Sequence, residues 1–136
     1  MKLIQPSFEI LEQEPGLKGV YKAIEYPGRI CYGSTDKIIE DSAEEFVHKL
    51  EKANHGAPME HGAVYLQITR NVDMDEWLSP SSEYNKYDEL LEFYLNNRYS
   101  KVEEVLGDNL KDHLYISTNY RVLFENNRLG DLKYLC

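Results

Sequence analysis

The chain has 136 residues, of which 42% are hydrophobic and 29% are charged, a composition typical of one globular domain with its own core. Its 24 acidic residues outnumber 15 basic ones, and the formal net charge of −9 argues against binding to nucleic acid or to an anionic membrane. No apolar run is long enough to span a membrane and no signal peptide is visible. We therefore expect a cytoplasmic protein in which Cys31 and Cys136 are buried or free thiols.

The first predicted elements are extended structure and then a helix. Residues 2–13 ("KLIQPSFEILEQ") alternate weakly between apolar and polar side chains, which predicts an opening strand or a pair of short strands. Residues 17–24 carry apolar side chains at helical spacing. Pro27 and Gly28 follow, and this pair predicts a break or a kink before "RICY".

A second helix is predicted to begin after Ser42. Ser42 and Glu45 match a capping box, in which each side chain satisfies a free backbone N–H group of the first turn. Asn54 and Gly56 are candidates for the C-terminal cap. The apolar residues of this segment form one stripe: Phe46, Val47, Leu50 and Ala53.

The second half of the chain predicts further strands and helices. Residues 62–70 ("GAVYLQITR") alternate as a strand does, and the polar residues 71–82 predict a loop. Residues 82–98 return to helical spacing, and residues 99–119 predict two strands around a Gly-Asp-Asn turn. A helix and an apolar tail are expected in residues 120–136. The fold class is therefore α+β, an antiparallel sheet with helices packed mainly on one face.

Residues 54–66 ("NHGAPMEHGAVYL") concentrate polar groups between a predicted helix and a predicted strand. His55 and His61 are six residues apart, so they do not share one face of a helix as the histidines of H-E-x-x-H zinc sites do, and no metal is expected. One interpretation is a polar connection in which a histidine and Glu60 only hydrogen-bond the backbone. The other is a binding element, since loops carry a disproportionate share of functional residues.

"RICYGS", a helix and then "NHGAPMEHGAVYLQI" resemble the N-terminal part of the flavin-dependent thymidylate synthases over about the first half of the chain. In that family an A-R-(V/I)-(C/S)-(Y/F) segment precedes a helix, a G-H-x-(S/T)-x-x-E-H motif and a strand. The terminal "STNYRVLFENNRLGDLKYLC" also resembles a segment of some members. These enzymes are FAD-bound homotetramers with active sites shared between subunits. They methylate dUMP to dTMP with methylenetetrahydrofolate and a reduced nicotinamide.

The resemblance implies three FAD-binding residues, namely His55, Ala57 and Glu60. His55 matches the histidine beside the flavin, Glu60 matches the motif glutamate, and His61 matches the histidine that starts the strand. Ala57 stands where the family usually has a Ser or Thr that touches the cofactor, so that hydroxyl is lost. If Glu60 is buried it needs a donor partner, because an unpaired buried carboxylate is costly. Residues 119–121 ("NYR") are similar to an N-x-R pair used on FAD, or else end in an ordinary solvated arginine.

The R-H-R signature that binds the dUMP phosphate in this family does not occur in the sequence. The five arginines are not arranged as R-x-R: Arg29, Arg70, Arg98, Arg121 and Arg128. A nucleotide phosphate needs bidentate cationic groups, so no catalytic residue is assigned and no activity of this chain alone is expected. By resemblance FAD is the cofactor, and dUMP, folate and NADPH are ligands only of a complete enzyme.

The alternative is a non-catalytic binding or assembly module derived from the same fold. The tyrosine-rich residues 84–99 would then serve as an interface, or would only cover a helix flank.

Within the single domain 1–136, residues 71–113 would be a family-divergent insertion. We also expect a homo-oligomer, most simply a dimer, formed by an uncovered apolar patch in the tail: Leu129, Leu132, Tyr134 and Leu135.

Overall fold

A computed structural model of the chain describes residues 3–72 and 82–136, in which helices pack against a three-stranded antiparallel sheet. The helices are α1 (Gly16–Tyr32), α2 (Ala43–Lys52), α3 (Ser82–Asn96) and α4 (Tyr120–Glu125). The strands are β1 (Ala63–Asn71), β2 (Lys101–Asp108) and β3 (Lys111–Asn119). Short 3-10 turns cover Thr35–Lys37, Ala57–His61 and Leu129–Tyr134. The predicted α+β class with an antiparallel sheet is confirmed.

The sheet has β3 at its centre, paired antiparallel with β1 on one side and with β2 on the other. Buried and exposed residues alternate along β1, as the sequence predicts for a strand with one covered face. The inward-facing pairs between the two strands are Val64–Thr118, Leu66–Ile116 and Ile68–Leu114. The helices pack against this face, and the opposite face carries the exposed residues Tyr65 and Tyr115.

The hairpin between β2 and β3 forms where the sequence predicts a turn. The reversal occurs at Asn109 and Leu110, whose φ angles of 51° and 61° match the left-handed geometry of a type I′ turn. Gly107 just before it has a φ of 73°, a conformation that glycine adopts without steric cost. The N–H of Gly107 donates to Oδ1 of Asp112 at 2.9 Å, which ties the end of β2 to the start of β3.

The four described α-helices and the inner face of the sheet build the core. α3 supplies wholly buried side chains to this core. It falls within residues 71–113, which the sequence predicts to be a family-divergent insertion, and the insertion stays a prediction. Residues 73–81 of the predicted loop at 71–82 lie outside the residues that the structure describes. None of the described helices is long and apolar enough to cross a lipid bilayer. The wholly buried residues of α3 are Tyr87, Leu90 and Tyr94.

The N-terminal arm, residues 3–14, contains no strand, so the prediction of an opening strand is wrong. The arm reaches the edge of β1 through a side chain and not through its backbone. The side-chain amide of Gln13 donates to the carbonyl of Ala63 at 2.9 Å and accepts from its N–H at 3.0 Å. The rest of the arm stays uncovered, and its large apolar residues are 64–94% exposed: Leu3, Ile4, Phe8, Ile10 and Leu11.

α1 continues through Pro27 and Gly28 to Tyr32, so the predicted break before "RICY" is wrong. A proline inside a helix removes one backbone hydrogen bond and usually bends or ends it. Here tertiary packing outweighs that cost, because Gly28 is buried against Phe46 of α2. The helix ends instead at Gly33, whose φ of 63° is the left-handed cap conformation.

α2 begins at the predicted place without the predicted capping box. Oγ of Ser42 accepts from the N–H of Ile39 at 3.0 Å and donates to its carbonyl at 2.9 Å, so it caps the preceding turn and not α2. Glu45 pairs with Lys49 at 3.3 Å. Of the predicted stripe only Ala53 is exposed, because it lies past the last helical residue.

The C-terminal tail packs on its own domain. Leu135 bridges to Leu66 of β1, and the N–H of Cys136 donates to the carbonyl of Tyr65 at 2.9 Å. The prediction of an uncovered patch in the tail is therefore wrong, since the four residues concerned are partly buried against the core: Leu129, Leu132, Tyr134 and Leu135.

His48 on α2 makes the stability of the fold depend on pH. A hydrogen bond from Nδ1 to Glu51 at 3.1 Å, with smaller help from Glu44, raises the pKa of His48 above its ordinary value. Because the pKa of His48 is higher in the folded state, its contribution to stability is fully present below the unfolded-state pKa of about 6.5. The contribution is lost as the pH rises through the folded-state pKa. We expect His48→Gln to lower the free energy of unfolding by about 0.3–0.5 kcal/mol at about pH 5.5 and by almost nothing at about pH 8.5. Urea unfolding at both pH values measures this difference, and an equal loss at both would contradict it.

Candidate functional site

The C-terminal half of α1 is fixed by close packing on α2. Glu25 is only 2% exposed and pairs with Arg29 one turn later at 2.9 Å. The guanidinium of Arg29 lies 4.6 Å from the ring centroid of Phe46, and Gly28 leaves room for that ring. A buried carboxylate is tolerated when a cation pairs with it, so this cluster holds the end of α1 in a defined position. Tyr32, the last residue of α1, is placed on the surface beside the end of α2.

The end of α2 turns His55 towards Tyr32. Asn54 adopts a left-handed φ of 52°, and the N–H of His55 donates to the carbonyl of Leu50 at 2.9 Å. These are the features of a Schellman cap, so the predicted role of Asn54 is confirmed, whereas Gly56 lies beyond the cap. The ring of His55 meets the Tyr32 ring edge-on, with centroids 5.6 Å apart, and the Tyr32 hydroxyl shares a hydrogen bond with Nδ1 of His55. The segment "RICYGS" and the segment "NHGAPMEH" are thereby in contact.

The 3-10 turn Ala57–His61 presents its polar residues to solvent. Met59 is wholly buried and anchors the turn in the core, while Ala57, Glu60 and His61 are exposed. The methyl group of Ala57 offers no hydrogen bond at the position where the resemblance implies a hydroxyl. His61 lines an apolar cleft of about 560 Å³ between the N-terminal arm and α1, so it serves a different surface from His55.

Glu60 is joined to α4 by an ion pair with Arg121 at 2.5 Å. Arg121 also binds Glu125 at 2.7 Å, and hydrogen bonds with Glu125 and Glu60 raise the pKa of its guanidinium. A Cβ atom on Gly56 would lie only 3.0 Å from Nε of Arg121, so the absence of a side chain there lets the arginine approach. Glu60 is exposed and not buried, but its partner is the arginine of the "NYR" segment. The backbone joins the same segments, since the N–H of Tyr120 donates to the carbonyl of Gly62 at 2.9 Å.

Arg121 and Glu60 stand at one wall of a polar cleft of about 420 Å³. The other wall follows α3, where the guanidinium of Arg98 lies 4.9 Å from the ring centroid of Tyr99. Val122 and the carboxylate of Glu125 also line the cleft, together with four asparagine amides: Asn96, Asn97, Asn119 and Asn126. Two guanidinium groups and several amides suit a ligand with anionic or hydrogen-bonding groups. In the sequence this wall corresponds to residues 96–99 ("NNRY"), which no motif spacing singles out as a binding element.

The sequence-predicted site residues therefore fall into two contacts. His55 lies against Tyr32, Glu60 lies against Arg121, and exposed Ala57 stands between them in the chain. Within residues 3–72 and 82–136, no three His, Cys, Asp or Glu side chains lie close enough together to hold a metal ion. Comparisons of the chain with protein-family models, with curated proteins and with solved structures found no match.

Proposed function

We propose that this chain is part of a flavin-dependent thymidylate synthase and contributes residues that hold FAD, without synthase turnover of its own. The carrying observation is that three separate segments of family resemblance meet in space. Tyr32 of "RICYGS" bonds His55 of "NHGAPMEH", and Glu60 of the same motif bonds Arg121 of "NYR". These partners are 23 and 61 residues apart, so their meeting is not a consequence of local sequence. A merely polar connection between α2 and β1 would not require either pairing.

The surface around His55 suits the ring system of a flavin. A flavin ring is flat and largely apolar, and its edge carries hydrogen-bond acceptors. His55 and Tyr32 offer adjoining rings at the surface, and Tyr32 is 53% exposed. Exposed Ala57, two residues after His55, offers no hydroxyl contact to the ring.

The polar cleft suits the charged part of the same cofactor. The diphosphate of FAD needs cationic groups, and the cleft provides Arg98 and Arg121. Arg121 is already shared between two carboxylates, so Arg98 is the cation with the freer charge among the residues lining the cleft. When bound, FAD would supply the redox chemistry, and the residues of this chain would bind and orient it.

We expect no turnover because the chain lacks the arginines that a nucleotide substrate needs. The sequence has no R-x-R pair, and the net charge of −9 disfavours a phosphate that is not locally clamped. dUMP, the folate and NADPH are therefore proposed as ligands of a complete enzyme and not of this chain alone.

FAD binding tests the proposal directly. The purified chain is titrated into FAD while flavin fluorescence is recorded, and we expect saturable quenching. His55→Ala removes a ring contact and its hydrogen bond, so we expect roughly tenfold weaker binding, equivalent to about 1.4 kcal/mol. His48→Gln changes a histidine on the same part of the fold but away from the proposed contact, and should bind as the unchanged protein does.

Two results would contradict the proposal. One is a folded chain, judged by circular dichroism, that does not quench FAD at all. The other is equal FAD affinity in the His55→Ala variant and in the unchanged protein. dTMP formed from dUMP by the chain alone would overturn the statement that it has no turnover.

A second candidate is a non-catalytic assembly module, and the N-terminal arm favours it. Five large apolar side chains of the arm are 64–94% exposed, an amount of uncovered apolar surface that often marks an interface. A colourless protein that fails to quench FAD and scatters light as a dimer, but becomes monomeric with Phe8→Ser and Ile10→Ser, would favour this function over the flavin site.

A further inference from the structure

The hydrogen bond between Tyr32 and His55 determines which ring nitrogen of His55 carries the proton. A phenol O–H is a stronger acid than a neutral imidazole N–H, and an imidazole nitrogen is a far better acceptor than a phenol oxygen. The favoured arrangement therefore has the Tyr32 hydroxyl donating to Nδ1 of His55. With its lone pair on Nδ1 engaged, the neutral ring carries its hydrogen on Nε2, because the two nitrogens of a neutral imidazole cannot both be protonated.

Both side chains are held so that this bond is part of the fold and not a chance surface contact. The Tyr32 ring packs edge-on against Phe46 with centroids 6.5 Å apart, and the guanidinium of Arg29, which pairs with buried Glu25, also contacts the Phe46 ring. The backbone of His55 is fixed by its bond to the end of α2. The backbone of His55 and the ring of Tyr32 are therefore each restrained by packing in the fold.

We propose that Tyr32 is a positioning residue that holds His55 in the Nε2–H tautomer, so that His55 presents a hydrogen-bond donor to its ligand. Among the described residues, Nε2 of His55 has no hydrogen-bond partner, and His55 is exposed. A donor at this position selects an acceptor atom, such as a carbonyl oxygen or an unprotonated ring nitrogen of a flat heteroaromatic ligand. It disfavours a metal ion, which would need a lone pair on that nitrogen. The identity of the acceptor as a flavin atom rests on the proposed function, whereas the tautomer does not.

Nuclear magnetic resonance of the chain labelled with nitrogen-15 tests the tautomer without any ligand. Two-bond proton–nitrogen correlations distinguish a ring protonated on Nε2 from one protonated on Nδ1. We expect the Nε2–H pattern for His55 at a pH where the ring is neutral. Tyr32→Phe keeps the ring packing and removes only the hydroxyl, so we expect a mixture of both tautomers. Tyr115→Phe removes an exposed hydroxyl from the outer face of the sheet and should leave the His55 pattern unchanged.

FAD titration of the same variants tests the donor. We expect Tyr32→Phe to weaken FAD binding about threefold to tenfold, and Tyr115→Phe to leave it unchanged. An Nδ1–H pattern of His55 in the unchanged protein would overturn the positioning role. A Tyr32→Phe variant whose His55 pattern is the same as in the unchanged protein would overturn it as well. Equal FAD affinity in Tyr32→Phe would overturn the donor role even if the tautomer shifts. A tautomer that responds to Tyr32→Phe in a chain that never binds FAD would support the positioning role and contradict the proposed function.

Discussion

Replacing Arg128 by methionine is expected to lower the free energy of unfolding by about 3–5 kcal/mol, because it leaves a buried carboxylate without its main cation. Asp131 is only 4% exposed, and Nε of Arg128 lies 2.8 Å from its Oδ2 atom. The same guanidinium binds Glu89 at 2.6 Å and stacks 4.2 Å from the ring centroid of Phe93. The hydroxyl of Tyr94 donates to Asp131 at 2.9 Å, and burial raises the pKa of that hydroxyl, so it remains a donor.

Two features place the expected loss at the lower end of this range. Nζ of Lys86 lies 3.4 Å from the other oxygen of Asp131 and partly replaces the lost charge. Among the described residues, buried Nη2 of Arg128 has no hydrogen-bond partner, so the arginine itself carries a desolvation cost that the variant removes. The double variant Arg128→Met with Asp131→Leu removes both charges and should regain part of the loss, because the buried Tyr94 hydroxyl then lacks its acceptor. Urea unfolding of the single and double variants measures it, and a double variant no more stable than the single one would contradict the buried-charge explanation.

The sequence predicts those elements whose signal is local. β1 alternates between apolar and polar residues, the G-D-N turn fixes the hairpin, and the spacing within α3 buries one side of it. The opening arm has a similar weak alternation yet forms no strand, because strand formation also needs a free sheet edge. The C-terminal tail occupies part of the edge of β1, and Gln13 of the arm binds Ala63 through its side chain instead of its backbone; the alternation in residues 3–14 indicates neither contact.

The candidate site is predictable in part for the same reason. Motif spacing points to His55 and Glu60, and desolvation cost predicts that a buried Glu60 would need a donor partner. The partner is Arg121, which is 61 residues away, and Glu60 is exposed, so only the three-dimensional structure identifies the pair. The contact of Tyr32 with His55 depends on α1 continuing past Pro27, where backbone chemistry alone predicts a break.

Gly28→Val is expected to lower the free energy of unfolding by about 3 kcal/mol, the upper part of the range for overpacked cores. A Cβ atom on Gly28 would lie 2.6 Å and 2.8 Å from two ring carbons of Phe46, closer than real Cβ atoms approach other atoms. The two branched methyl groups of valine enlarge the clash, and α1 and α2 must move apart to relieve it. Gly28→Ala should cost less, because alanine adds one carbon and gains up to about 1 kcal/mol of helix propensity over glycine.

The same displacement should reach the candidate site, since Phe46 also supports the ring of Tyr32. We therefore expect Gly28→Val to disturb the contact with His55 and to produce a mixture of His55 tautomers. Urea unfolding measures the stability change, and proton–nitrogen correlations of the imidazole report on the contact. Gly130→Val is the control, because a Cβ atom there has no neighbour within 4 Å and its cost should stay within about 0.5 kcal/mol. If the clash is the cause, adding Phe46→Ala to Gly28→Val must cost less than the sum of the two single losses, because the smaller side chain vacates the space that valine needs. If the two losses are additive, the lower stability of Gly28→Val does not come from a clash between α1 and Phe46 of α2.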